Sequence, residues 1–125
     1  MPIRVVLIED NDVFRQALEV LLTMRGGIEI LASEPDGSRA AELCAQLEPD
    51  VVLIDYRLPG LDGVQVTRAV HERCPEAAIV ALTAAAGERE VEAMLDAGAV
   101  AAVRKDEPLD AIERAVRAAG TVGAG

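Results

Sequence analysis

Polar residues that can do chemistry fall where apolar runs stop. Glu9 and Asp10 follow Val5-Val6-Leu7-Ile8, with Asp12 close behind, and Asp55 follows Val51-Val52-Leu53-Ile54. Thr83 follows Ile79-Val80-Ala81-Leu82, and Lys105 follows the stretch from Ala101 to Arg104. Three carboxylates in close quarters repel one another and call for a hard divalent cation. Mg2+ suits one or two carboxylates plus waters and phosphate oxygens. A carboxylate beside such a cation can attack a phosphoryl group and form an acyl phosphate. The cation and Lys105 would then neutralise the transferring oxygens, and the Thr83 hydroxyl could donate to a further one. Lys105 is the only lysine against eleven arginines. Generic positive charge would be met by Arg, whereas a compact ammonium presented to one point requires Lys. Plainer roles exist for each residue alone. One of Asp10, Asn11 and Asp12 is expected to cap a helix, Asp55 could close a turn, and Thr83 could be a strand-end hydroxyl. None of these explains the whole set.

The elements that must carry these residues alternate. The three apolar runs are short, continuous and rich in β-branched residues, the habit of strands buried on both faces of a parallel sheet. Glu29 to Ala32 and Ala101 to Arg104 are two weaker strand candidates. Between them lie helical stripes: Phe14, Ala17, Leu18, Leu21 and Leu22; Ala40, Leu43, Cys44 and Leu47; Val91, Met94 and Leu95; and Leu109, Ile112 and Val116. A further helix is expected from about Val64 to Arg73, stopped by Pro75. Five strands and five helices in strict alternation predict a doubly wound α/β sandwich with right-handed crossovers. Ligands of such folds bind beyond the carboxyl ends of the strands, where Glu9, Asp10, Asp55, Thr83 and Lys105 converge.

The chain has 125 residues, enough for one domain. The expected domain covers residues 1–119, and residues 120–125 are small and read as a flexible tail or the start of a linker. Aromatics make up 2%, Phe14 and Tyr56 alone, so the core must be aliphatic and base-stacking surfaces are nearly excluded. A net charge of −10 repels phosphate backbones and argues against nucleic-acid binding by this segment. No apolar run reaches the ~20 residues of a membrane span, and the N-terminus lacks a signal-peptide pattern. Cys44 and Cys74 fit no metal-ligand cluster and read as free thiols of a cytoplasmic protein. His71, the only histidine, sits among polar neighbours and reads as solvent-exposed.

These residues and spacings resemble the receiver domain of two-component response regulators over essentially the whole chain. The resemblance implies a flavodoxin-like five-stranded parallel sheet of order 2-1-3-4-5 with five helices. It implies that Glu9 and Asp10 are the Mg2+-binding acidic pair. Asp55, heading Asp55-Tyr56-Arg57-Leu58-Pro59-Gly60-Leu61-Asp62-Gly63, would be the phospho-accepting aspartate. The backbone carbonyl of Arg57 would be a further Mg2+ ligand. Thr83 and Ala84 would be the switch hydroxyl and its small neighbour, and Lys105 the phosphoryl-binding lysine. A histidine kinase would supply the phosphoryl group. Such a domain is a signalling module that catalyses only its own phosphotransfer and dephosphorylation. Gly98-Ala99, Lys105-Asp106 and Ala118-Ala119-Gly120-Thr121-Val122 resemble the subgroup that carries a C-terminal LuxR-type helix-turn-helix domain. This implies control of transcription through a domain outside this segment, with a stand-alone receiver as the alternative. The resemblance places the partner face, and any homodimer, on the fourth helix, fifth strand and fifth helix.

Two positions depart from the family pattern. Ala102 stands where a switch aromatic, Tyr or Phe, is usual, so Thr–aromatic coupling cannot run in its usual form; the response is expected to pass through residues 83–87 and the fourth helix. Arg104 holds a usually apolar position, tolerable on an edge strand. Ala102 leaves open a pseudo-receiver, an interaction module never controlled by phosphorylation. A haloacid-dehalogenase-type phosphatase would use Asp10-Asn11-Asp12-Val13-Phe14, which lacks that family's Thr. A flavodoxin-like cofactor binder would need a hydroxyl- and glycine-rich phosphate loop after the first strand, where this chain has acids.

Overall fold

The computed structural model describes the chain except residues 61, 85–86 and 125 and the side chains of residues 121–124. Ten elements alternate: β1 (Ile3–Ile8), α1 (Asp12–Met24), β2 (Ile28–Glu34), α2 (Ala40–Leu47), β3 (Val51–Asp55), α3 (Gly63–Arg73), β4 (Ala78–Thr83), α4 (Glu88–Ala97), β5 (Ala101–Arg104) and α5 (Leu109–Ala124). The five strands are parallel and lie in the order β2-β1-β3-β4-β5. The expected sheet and helix count are both present.

Side chains of successive strand residues point to opposite faces, so the apolar runs serve two cores. Val5, Leu7, Leu53, Val80 and Leu82 pack with Leu18 and Leu22 of α1 and with Ile112 and Val116 of α5. Val6, Ile8, Val52, Ile54, Ile79 and Ala81 pack with Ala40, Cys44, Val66, Val70 and Met94 from α2, α3 and α4. Every residue of β3 and β4 is buried, which is why these strands read as unbroken apolar runs. Full burial of each such branched side chain contributes about 1.5–3 kcal/mol. Local signals set the helix starts. Asn11 caps α1 by accepting from the Phe14 amide at 2.9 Å, and Asp62 and Gln65 form a reciprocal capping box on α3.

Two details differ from the sequence reading, the length of β2 and the end of α5, and one agrees with it, the place of Arg104. β2 runs two residues beyond Ala32, with an irregularity in its pairing to β1 between Val5 and Val6 that leaves Leu31 without a partner residue. Arg104 lies exposed on the edge strand β5 and is neutralised by Asp106, with both contacts at 3.0 Å. The backbone over residues 120–124 continues α5 as helix, in the stretch whose composition reads as a flexible tail or the start of a linker. Gly120 lets α5 lie against the start of β1: a Cβ there would come within 2.7 Å of Ile3 Cγ2. Residue 125 lies outside the described residues. Both cysteines are free, and burial pushes the Cys44 thiol up to about 12. His71 is exposed. Among the described residues no helix is long and apolar enough to cross a membrane.

Candidate functional site

The parallel sheet delivers the site. Because all strands run the same way, their carboxyl ends share one edge. Backbone hydrogen bonds just past the strands fix the residues there. The Glu9 amide donates to the Glu34 carbonyl at 3.0 Å, the Tyr56 amide to the Leu82 carbonyl at 2.9 Å, and the Lys105 amide to the Thr83 carbonyl at 2.8 Å. Arg15 of α1 braces the first of these turns by donating to the Glu9 carbonyl at 2.9 Å. α3 can begin close behind Asp55 because its first residue is Gly63. A Cβ at Gly63 would press on the Asp55 carbonyl and lie 2.6 Å from Tyr56 Cα.

Glu9 and Asp55 are buried and Asp10 is exposed. Lys105 Nζ lies 2.7 Å from Glu9 Oε1 and donates to Asp55 Oδ2 at 2.9 Å. The remaining oxygens meet backbone donors: Glu9 Oε2 accepts from the Asn11 amide at 2.9 Å and Asp55 Oδ1 from the Arg57 amide at 3.2 Å. Burial pushes the Asp55 carboxyl up to about 7. The Lys105 hydrogen bond opposes that rise, while the negative charge of Glu9 adds to it. Burial alone would lower Lys105, but its hydrogen bonds to Glu9 and Asp55 outweigh this and raise it. One ammonium therefore holds two buried carboxylates, and a third carboxylate stands beside them uncompensated.

Oxygens of Glu9, Asp10 and Asp55 lie within 4.8 Å of one another. Such an all-oxygen donor set suits a hard cation. Mg2+ binds oxygens at about 2.1 Å, so its ligands lie within ~4.2 Å of each other, a small side-chain adjustment away. Thr83 is buried, and its Oγ1 has no hydrogen-bond partner among the described residues, a condition that costs about 1–3 kcal/mol. An acceptor reaching this edge would relieve it.

Every expected site residue thus lies at this edge except Asp12, whose exposed carboxylate pairs with Arg15 at 2.6 Å, and Ala102, a partly buried residue paired with Ala81 inside the sheet. Arg57 enters through its amide, and its exposed side chain turns to Glu90 at 3.6 Å. The Ala84 amide also donates to Glu90, at 3.3 Å. Two participants were not singled out from sequence. Phe14 places its ring 5.1 Å from Lys105 Nζ, a cation–π contact that helps fix the ammonium. Its being the only Phe, in the first turn after the acidic pair, was the available signal. Glu90 is the other, and nothing in the sequence separates it from Glu88 and Glu92.

Comparison with known proteins identifies the family. The family model described as the response regulator receiver domain matches residues 5–117. The chain is 33% identical over 122 residues to the transcriptional regulatory protein DegU of Brevibacillus brevis, covering 98% of this chain and 52% of that protein. The chain thus spans about half the length of the curated relatives it matches. Among solved structures, the receiver of the putative response regulator NarL from Mycobacterium tuberculosis superposes with a TM-score of 0.88 at 32% identity, covering 96% of this chain and 97% of that one. A LuxR-family two-component response regulator from Aurantimonas sp. SI85-9A1 superposes with a TM-score of 0.91 at 26% identity, covering 98% of this chain and 87% of that one. The carboxyl-edge site, the sheet order and these matches together place the chain in the response regulator receiver domain family.

Proposed function

We propose that Asp55 accepts a phosphoryl group from a histidine kinase and that the resulting charge at the carboxyl edge of the sheet drives the domain's output. An Asp55 carboxylate oxygen attacks the phosphorus of a phosphohistidine. The new P–O bond forms as the P–N bond breaks, and the leaving imidazole nitrogen keeps the electron pair and takes up a proton. Glu9, Asp10, Asp55 and the Arg57 carbonyl would hold Mg2+, which when bound offsets the carboxylate and phosphoryl charge. Lys105 transfers its pairing from the Asp55 carboxylate to a phosphoryl oxygen, and the Thr83 hydroxyl donates to another. The observation that carries this reading is the pairing of Lys105 with buried Asp55 and Glu9 beside an orphaned Thr83 hydroxyl. The output is read as transcription control through a LuxR-type domain, in keeping with the regulators the chain resembles.

A never-phosphorylated interaction module is the second reading, favoured by Ala102. One experiment separates the two. The protein is incubated with acetyl phosphate and Mg2+, and its intact mass is followed. A gain of one phosphoryl group, absent with EDTA and absent in Asp55→Asn, supports the proposal. No gain in wild type, or the same gain in Asp55→Asn, refutes it.

A further inference from the structure

Helix α4 begins with an unusual arrangement of its own carboxylate. Its N-cap is Gly87, which has no side chain to offer the helix. Glu90, at the third helical position, is where a capping-box carboxylate would reach back to the N-cap amide. Here it reaches further, and Oε1 accepts from the Ala84 amide at 3.3 Å. Its Oε2 lies 3.6 Å from Arg57 Nη2, with the Glu90 side chain 16% exposed and that of Arg57 76% exposed. Gly87 makes the reach possible: a Cβ there would fall 3.1 Å from Glu90 Oε1 and 3.3 Å from Glu90 Cβ.

The two groups Glu90 joins are placed symmetrically about the site. Asp55 is paired with Leu82 across β3 and β4. Arg57 and Ala84 each lie two residues beyond that pair. The carboxylate therefore bridges the two loops that flank Asp55, and it occupies a backbone donor next to Thr83. A phosphoryl group on Asp55 brings a charge of about −1.5 to −2 to the same rim. At that rim it would compete with Glu90 for the Ala84 amide and repel the Glu90 carboxylate.

We propose that Glu90 is a resident anion that latches the start of α4 in the unphosphorylated arrangement, and that a phosphoryl group on Asp55 displaces it. This deepens the proposed function and rests on Asp55 being the acceptor. It supplies a mechanical link from Asp55 to α4 that needs no aromatic side chain at Ala102. Displacement of Glu90 frees α4 at its first turn while the rest of the helix stays packed through buried Met94 and Ala97.

The test uses the whole chain with Glu90→Gln, Glu90→Ala and Arg57→Gln. Hydrogen exchange at the Ala84 amide is measured first without metal or phosphoryl donor. Apparent affinity for beryllofluoride in saturating Mg2+ is measured next. Losing a charge-assisted hydrogen bond on a partly exposed group predicts an Ala84 amide roughly three- to tenfold less protected in Glu90→Gln, with beryllofluoride bound tighter by a similar factor. Glu90→Ala should match or exceed this, and Arg57→Gln, whose side chain is exposed and whose backbone is unchanged, should shift both readouts in the same sense by less. Wild-type affinity in both Glu90 variants, or weaker binding, overturns the latch while leaving Asp55 as acceptor. No beryllofluoride binding by wild type in Mg2+ overturns the reading of the site and the latch with it.

Discussion

Removing the Lys105 ammonium should destabilise the protein in a way that grows with pH. In wild type, Nζ lies 2.7 Å from Glu9 Oε1 and 2.9 Å from Asp55 Oδ2, and both carboxylates are buried. Lys105→Met keeps the aliphatic stem and removes the charge, leaving two adjacent buried carboxylates without their cation. Breaking a buried pair costs about 3–5 kcal/mol. The Lys105 side chain is 27% exposed, so the lower end applies, about 3 kcal/mol. For a domain of this length each kcal/mol moves the Tm by roughly 4 °C, so a fall of about 12 °C is expected near pH 8. The sign of the pH dependence follows from Asp55. Its folded pKa of about 7 lies above the unfolded value near 3.8, so the folded state binds the extra proton and stability falls as pH rises through that interval. Without Lys105 the folded pKa climbs further and the fall continues to higher pH. The deficit of Lys105→Met against wild type should therefore be smaller near pH 6, where Asp55 is largely protonated in both and only the pairing with buried Glu9 is lost, and full above pH 8. Thermal melts in EDTA at several pH values measure it. Adding Asp55→Asn to Lys105→Met should recover a large part of the loss, because the double variant holds one buried carboxylate instead of two. A Lys105→Met variant as stable as wild type at pH 8, or a deficit that shrinks as pH rises, would refute the argument.

Further outcomes follow from the same geometry. Apparent Mg2+ affinity, followed by titration calorimetry, should rise about tenfold from pH 6 to pH 8, because the proton on Asp55 competes with the cation; a flat profile would remove Asp55 from the ligand set. Asp10→Asn, or Mg2+ at a hundred times its Kd, should each raise the Tm of the unphosphorylated protein, the latter by about 2.7 kcal/mol of stability; indifference to millimolar Mg2+ would contradict a metal site. Lys105→Arg should slow phosphorylation or uncouple it from conformational change, since the broader guanidinium directs its donors in a plane and does not fit the point the compact ammonium occupies; wild-type behaviour in both assays would reduce Lys105 to a counter-ion. Beryllofluoride should change hydrogen exchange over residues 83–97 more than in β5, a span that includes positions 85–86 outside the described residues; a dominant change in β5 would place the switch elsewhere.

Much of the molecule was legible because the strands are buried on both faces. Burial forces unbroken apolar runs, and a parallel sheet forces the residues after those runs onto one edge, so the sequence alone groups Glu9, Asp55, Thr83 and Lys105. β2 and β5 were fainter for a physical reason. They are the outer strands, only partly buried, and they tolerate Glu29, Glu34 and Arg104. The extent of α5 was hidden because Gly120 suggests a break by propensity, whereas the contact with Ile3 explains why a glycine stands there. The roles of Phe14 and Glu90 depend on how far a side chain reaches across loops. Phe14 shares an apolar stripe with Leu18 and Leu22, and its contact with Lys105 joins residues 91 positions apart in the chain. Glu90 acts through a backbone amide, which carries no sequence signal at all.

The most direct measurement is to trap the acyl phosphate itself. After phosphorylation with Mg2+ present, reduction with borohydride converts an aspartyl phosphate to homoserine, and peptide mapping locates the converted residue. The account predicts conversion at Asp55 alone, lost with EDTA. Conversion at Asp10 or Asp12, or phosphate that survives borohydride without conversion, would contradict it.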